Sequence, residues 1–270
     1  MSYCSLIYVI VIVLLISPIE NRDISVKTQT ENRFVQPLVH GGTKISIYKA
    51  PYMALYFDVK IGFYCGATIV RRRFLLTAAH CYNPNSKYYV KVGTDTIDGG
   101  YRYDIEKIVI HPDFDEATND NDIAVIKLKT QLTFNKRVQP IKMAPNNIKF
   151  KSGVMMTTMG FGATEDEFVS HDLLKVDVPY VSYNDCKSMI RFITNRMICA
   201  GGVRGKDACC GDSGGPLIYD DMIVGVVSFG IGCGEELPGV YASIPALRDF
   251  IDQTIRDLSK PRINHMFYRT

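Results

Sequence analysis

From about residue 39 onward the chain is a succession of short β-branched and aromatic runs. KYYVKVG, YDIEKIVIH, DIAVIKLK, GVMMTTMGFG, LLKVDVPYV and MIVGVVSFG are each broken off by Gly, Pro, Asn or Asp. Many short strands with such punctuation restrict the chain to an all-β sandwich or barrel. IYDDMIV and the run that ends at Gly230 read as one hairpin turning on Asp220 and Asp221. A single segment has helical period. In ALRDFIDQTIRDLS, Leu247, Phe250, Ile251, Ile255 and Leu258 share one face, which predicts one amphipathic helix packed on a β body. No internal repeat or low-complexity segment interrupts the pattern. A length of 270 residues suits one large domain or two small ones and is ample for a buried core. A net charge of +3 gives no support to a role on nucleic acid.

The two ends differ from the middle. Residues 1–20 hold no Lys or Arg and one acid, Glu20, and residues 6–16 are unbroken apolar. That run is shorter than the roughly 20 residues a spanning helix needs. A secretory signal peptide over residues 1–19 is the expectation; a short signal anchor is the alternative. Its cleavage point is unmarked, because Ser17-Pro18-Ile19 is a poor small-residue site. Residues 20–38 are polar and without period, as expected of a pro-segment. Residues 259–270 carry three basic residues and no acid. They read as a frayed tail, with a basic docking tail as the sharper alternative.

Cysteine usage agrees with secretion. Of eight cysteines, Cys4 leaves with the signal and seven remain, an odd number that implies a free thiol or an intermolecular bond. No Cys-x-x-Cys repeat or His/Cys cluster suggests zinc. There is no Asn-x-Ser/Thr sequon.

The chemistry concentrates in KDACCGDSGGP, residues 206–216. Ser213 stands among glycines, yet a hydroxyl is a poor nucleophile until a base lies beside it. The usual base is a His whose tautomer is fixed by a carboxylate. His80 closes FLLTAAHC, read as a buried strand, and Asp122 opens DIAVIKL after the polar loop TNDN. His111 precedes a proline in a turn, and His171 and His265 lie in polar stretches. Each motif alone has a plain reading: a strand end, a strand start with a capping Asp, a glycine turn. Their joint occurrence in the order His, Asp, Ser is what points to catalysis.

TAAHC, NDIAVIKL and GDSGGP together resemble the chymotrypsin/trypsin family of serine endopeptidases, and the likeness runs from about Val39 to Leu258. The resemblance implies an all-β fold of two antiparallel β-barrels, the active site between them and an α-helix at the carboxyl end, with residues 39–258 as the protease domain. It implies Ser213 as nucleophile, His80 as general base and acid, and Asp122 as the group that orients His80. The N–H groups of Gly211 and Ser213 would form the oxyanion hole. Bridges Cys65–Cys81, Cys186–Cys199 and Cys209–Cys233 are expected. Cys210 is then the odd thiol: a tolerated small side chain or a reactive one. An exchange with Cys209 is disfavoured by the family register.

Specificity and activation follow by the same resemblance. Asp207, six residues before Ser213, would lie at the base of the primary pocket and select Lys or Arg, with Ser228, Gly230 and Gly239 as walls. Ala208 stands where many relatives have Ser, which tilts the preference toward Arg. VHGG at residues 39–42 fits the register of an activated amino terminus that would pair with Asp212. The preceding Leu38 is not a trypsin site, so an activator of chymotrypsin-like taste or a start shifted to Leu38 is expected. Phe161 and Phe229 stand where relatives carry Trp. Protein or peptide substrates with Arg or Lys, proteinaceous inhibitors and an activating protease are the expected partners. Nucleic acid is not, nor is a membrane after signal removal. A monomer without cofactor or metal is expected, and GTDTIDGGYRYDIE is short for the family's calcium loop. Two readings compete. One is a non-catalytic relative used as a binding module, against which the three retained residues stand. The other is a protease of different primary preference, against which Asp207 stands.

Overall fold

A computed structural model describes residues 42–163, 169–204, 208, 211–232 and 236–260. The apolar runs become strands that bury one face or both. In chain order the elements are β1 (Thr43–Lys44), β2 (Met53–Asp58), β3 (Gly62–Arg71), β4 (Phe74–Thr77), β5 (Tyr88–Val92), β6 (Tyr101–Ile110), β7 (Ala124–Leu128), β8 (Lys142–Met143), β9 (Met155–Gly160) and β10 (Leu174–Val181). Then follow α1 (Tyr183–Met189), β11 (Met197–Gly201), β12 (Pro216–Tyr219), β13 (Met222–Phe229), β14 (Pro238–Ser243) and α2 (Ile244–Ser259).

Six strands close an antiparallel barrel in the order β2-β3-β4-β7-β6-β5. Six more close a second in the order β9-β10-β11-β14-β13-β12, with β12 returning to β9. Closure leaves no open edge among the six strands of either barrel. β1 extends the second barrel along β10, and β8 adds to β13 as the one parallel pairing among the described strands. The expected pair of barrels with a terminal helix is the observed architecture. One apolar cluster runs from inside the first barrel (Leu55, Ile69, Leu76) across the seam to Met159, Phe161 and Val226 and on to Leu247 and Ile251 of α2. β2 is buried along its whole length, with Asp58 at its end. A second cluster around Leu174, Val176, Val224 and Tyr241 fills the second barrel.

Local chemistry sets the element ends. Asp220 and Asp221 take φ of 50° and 55°, the left-handed pair that a two-residue turn between β12 and β13 requires. The expected hairpin is there. The Ser243 hydroxyl accepts the Ala246 N–H and Pro245 fills the first turn, so α2 begins two residues before the periodic segment. Leu247, Ile251 and Ile255 are buried and Phe250 and Leu258 pack at the margin, the face that the period predicts. α1 is a helix that the sequence reading did not anticipate. It is short, and the Ser182 hydroxyl caps it by accepting the Asp185 N–H. No helix among the described residues is long and apolar enough to cross a membrane.

Candidate active site

The site is built where the two barrels meet. His80 does not close a strand, as the apolar run before it suggested. β4 stops at Thr77, and Ala79–Cys81 form a single 3-10 turn that swings the imidazole out of the sheet. Asp122 lies two residues ahead of β7 and is fully buried. It holds His80 twice: the His80 N–H donates to Oδ1 at 2.9 Å, and the imidazole Nδ1 donates to Oδ2 at 2.7 Å. With Nδ1–H committed to the carboxylate, Nε2 is the nitrogen left to take up a proton. Burial pushes the His80 pKa down, but the charge and hydrogen bond of Asp122 outweigh it, and the net direction is above the ordinary 6.5.

A third donor reaches the same carboxylate. The Ser228 hydroxyl donates to Asp122 Oδ2 at 2.5 Å across 106 residues of chain. Ser228 was expected as a wall of the primary pocket; its hydroxyl is bonded to Asp122, and its main chain is what it has left to offer a wall. Nothing local marks this contact, because it joins β13 of one barrel to the loop before β7 of the other.

Ser213 is positioned by main chain. Asp212 O accepts the Gly215 N–H at 2.8 Å, which closes a tight turn with Ser213 near its tip. Val227 fastens that turn, accepting from Gly214 N at 2.8 Å and donating to Gly215 O at 2.9 Å. Val227 and Ser228 are neighbours, so one stretch of β13 sets both the Ser213 turn and the buried carboxylate. From the first barrel, Gly66 N–H donates to Ser213 O at 2.7 Å. Cys65, beside Gly66, is bonded to Cys81, beside His80, as expected. Gly214 completes the contact. With φ of 79°, a Cβ there would lie 2.3 Å from Thr77 Oγ1 and 2.4 Å from Gly66 O. Only a glycine lets the serine turn come this close to the strand end before His80.

Gly211 also takes a positive φ, 96°, and a Cβ on it would press on Gly162. The Asp212 carboxylate sits in a niche lined by Gly160 and Gly162, where the Gly162 N–H donates to its Oδ1 at 2.8 Å. It is 1% exposed. Gly230 is exposed just past β13, and Gly239 is buried in β14 opposite Ala200. Cys186–Cys199 is formed as expected and anchors α1 to β11. Phe161 is fully buried and packs edge-to-face with Phe63, and Phe229 stacks on Phe192. Leu38, Val39, Asp207, Cys209, Cys210 and Cys233 lie outside the described residues.

Two possible metal settings do not fit an ion. Sγ of Cys65 and Cys81 and the His80 ring lie within 4.8 Å of one another, but disulfide sulfurs are not thiolate ligands. In the loop compared with a calcium site, the carbonyls of Ile97 and Asp98 already accept from the Lys91 ammonium, at 3.4 and 3.1 Å.

Comparison with known proteins agrees with this arrangement. A sequence model of the family described as Trypsin matches residues 39–251. The chain is 34% identical over 221 residues to Trypsin 5G1 of Aedes aegypti, covering 79% of this chain and 83% of that protein. It is 37% identical over 239 residues to the vitellin-degrading protease of Bombyx mori, covering 85% and 89%. With Trypsin-2 of Salmo salar the identity is 34% over 224 residues, covering 80% and 94%. With two closed barrels, a buried Asp122 paired to His80 at their seam and these relatives, the chain belongs to the trypsin family of serine endopeptidases.

Proposed function

We propose that the protein is a secreted endopeptidase, made as a zymogen, that hydrolyses peptide bonds after Arg, and less readily after Lys, through Ser213, His80 and Asp122. The observation that carries the reading is the two-point attachment of His80 to a fully buried Asp122, with the Ser213 turn docked beside it. Ser213 Oγ attacks the scissile carbonyl as His80 Nε2 takes its proton. The N–H groups of Gly211 and Ser213 receive the oxyanion, where one such donor is worth about 2.7–4 kcal/mol in comparable enzymes. His80 then protonates the leaving amine, and water, deprotonated the same way, releases the acyl group from Ser213. Asp122 keeps the tautomer and steadies the imidazolium at both steps.

Asp207 selects the basic side chain. Gly230, Gly239 and the Ser228 main chain leave the pocket open to its length. Activation frees the Val39 amino group to pair with Asp212, whose carboxylate already sits in a niche that glycines line. Leu38 calls for an activator other than the enzyme itself. The same reading makes the mature protein a monomer, open to proteinaceous inhibitors and serving digestive or effector proteolysis.

Matched peptides with Arg, Lys or Phe before the bond test this on protein whose amino terminus is Val39, beside Ser213→Ala. Strong cleavage after Arg, weaker after Lys, none after Phe and none by Ser213→Ala is the expected result. Cleavage after Phe overturns the Asp207 assignment. Full activity in Ser213→Ala overturns the nucleophile.

A further inference from the structure

The loop that delivers Asp122 is held from the opposite barrel. Asn119 and Asn121 both take left-handed backbone, with φ of 54° and 57°. Non-glycine residues keep that conformation when their surroundings hold it. Between them lies Asp120, 8% exposed. Its Oδ1 accepts from Thr194 Oγ1 at 2.7 Å and from the Asn121 N–H at 3.0 Å. Arg196 addresses both carboxylate oxygens: Nε lies 3.0 Å from each, and Nη2 donates to Oδ2. On the far side of the loop, Asn121 Nδ2 donates to Asp113 O at 2.9 Å and Asp115 N–H donates to Asp120 O at 3.1 Å. Thr194 and Arg196 lead into β11 of the second barrel, whereas Asp120 and Asp122 lead into β7 of the first.

We propose that the Asp120–Arg196 pair, with Thr194, is a positioning latch for the peptidase reaction, fixing Asp122 against His80 from across the seam. The proposal rests on the reading of His80, Asp122 and Ser213 as the catalytic set. Asp120 stands two residues before Asp122, so any swing of its carboxylate is passed along a short, constrained backbone to the group that orients His80. Arg196 supplies a planar fork that grips both oxygens, which a lysine cannot do.

The neighbouring charges leave the latch closed at working pH. Burial disfavours the Asp120 charge, but the Arg196 and Thr194 hydrogen bonds overcome it and hold the carboxyl below the usual range. His111, against Phe250 of α2, is pushed down by burial and by Arg196, with Asp113 and Asp120 acting the other way. Asp113 also faces Arg196. Asp115 is held down by its bonds to Thr118 and Ala117, and Asp249 of α2 borders the same cleft. The charged group that bears on His80 is Asp122.

The test compares activated wild-type enzyme with Arg196→Ala, Arg196→Lys, Asp120→Asn and, as a separate control, Asp122→Asn. It reads kcat, KM, the pH profile of kcat/KM and the melting temperature. Arg196→Ala is expected to lower kcat by about 10- to 100-fold, the scale of a misplacement of about 1 Å. KM should stay within about twofold, since no substrate contact is removed. The acid limb should move to lower pH, because His80 keeps its burial and loses part of its attraction to Asp122. Arg196→Lys should recover part of kcat, and Asp120→Asn should fall between. A lower melting temperature with kcat and the acid limb unchanged would show a purely structural pair and overturn the latch. If Arg196→Ala fails to fold, Arg196→Lys and Asp120→Asn decide by the same readouts. Wild-type activity in Asp122→Asn would instead overturn the catalytic reading beneath it.

Discussion

The first barrel brings His80 and Asp122 to the seam through side-chain bonds, two between them and a third from Ser228. The second barrel brings Ser213 through main chain, by way of Asp212 O, Val227 and the Gly66 N–H. The charged half is fixed by hydrogen bonds to a carboxylate with no exposed surface, where each bond is strong and each loss leaves a buried acceptor short. The Ser213 half is fixed by closeness. Gly66, Gly214 and Gly215 let two backbones approach until no Cβ would fit. Errors in the first half should therefore appear as lost catalysis in a folded protein. Errors in the second should appear as lost fold.

The largest expected effect is at Asp122. Asp122→Asn keeps the shape but offers His80 the wrong tautomer, and kcat should fall by about 10⁴-fold while the melting temperature moves little, as for the same change in related triads. Steady-state kinetics beside thermal unfolding separates the two. Gly214→Ala breaks the other half: φ of 79° and contacts of 2.3 and 2.4 Å should destabilise the fold by about 2–4 kcal/mol. Denaturant unfolding measures that, and a stable but inactive Gly214→Ala protein would erase the contrast. Ser228→Ala sharpens it from the seam. It removes one hydrogen bond to a charged group, worth about 1.5–3 kcal/mol, and the loss should show in kcat at unchanged KM.

The smallest effect is a titration. On the proposed mechanism His80 must be neutral to accept the Ser213 proton, and its pKa is raised by Asp122, so the acid limb of kcat/KM should lie above 6.5. The sign for stability is the opposite. A folded-state value above the unfolded one stabilises the protein in full below about 6.5 and fades as pH rises through the folded value. The difference in unfolding free energy between wild type and His80→Ala should shrink along that course.

Much of this was legible in the sequence wherever neighbouring residues do the work. The turn at Asp220 and Asp221 and the buried face of α2 are local patterns; the short runs ended by turn residues carry only the all-β class, and the pair of barrels was an expectation from the family resemblance. His80, Asp122 and Ser213 could be singled out because each sits in a motif of one family and the three occur in its order; of these the structure joins His80 to Asp122 and docks the Ser213 turn on the first barrel. The 3-10 turn under His80 was hidden because FLLTAA is apolar enough to read as continuous strand. α1 was hidden because a helix so short has no period to find, only Ser182 as its cap. The Ser228–Asp122 and Arg196–Asp120 bonds join positions 106 and 76 residues apart. They exist because the barrels meet, and no local pattern encodes that.

The most direct test is covalent labelling of the activated enzyme with an organophosphonate that reacts only with an activated serine, followed by peptide mapping. The account predicts one adduct per chain, on Ser213, and none in His80→Ala. An adduct on another serine, or peptide cleavage that persists when Ser213 is fully labelled, would contradict it.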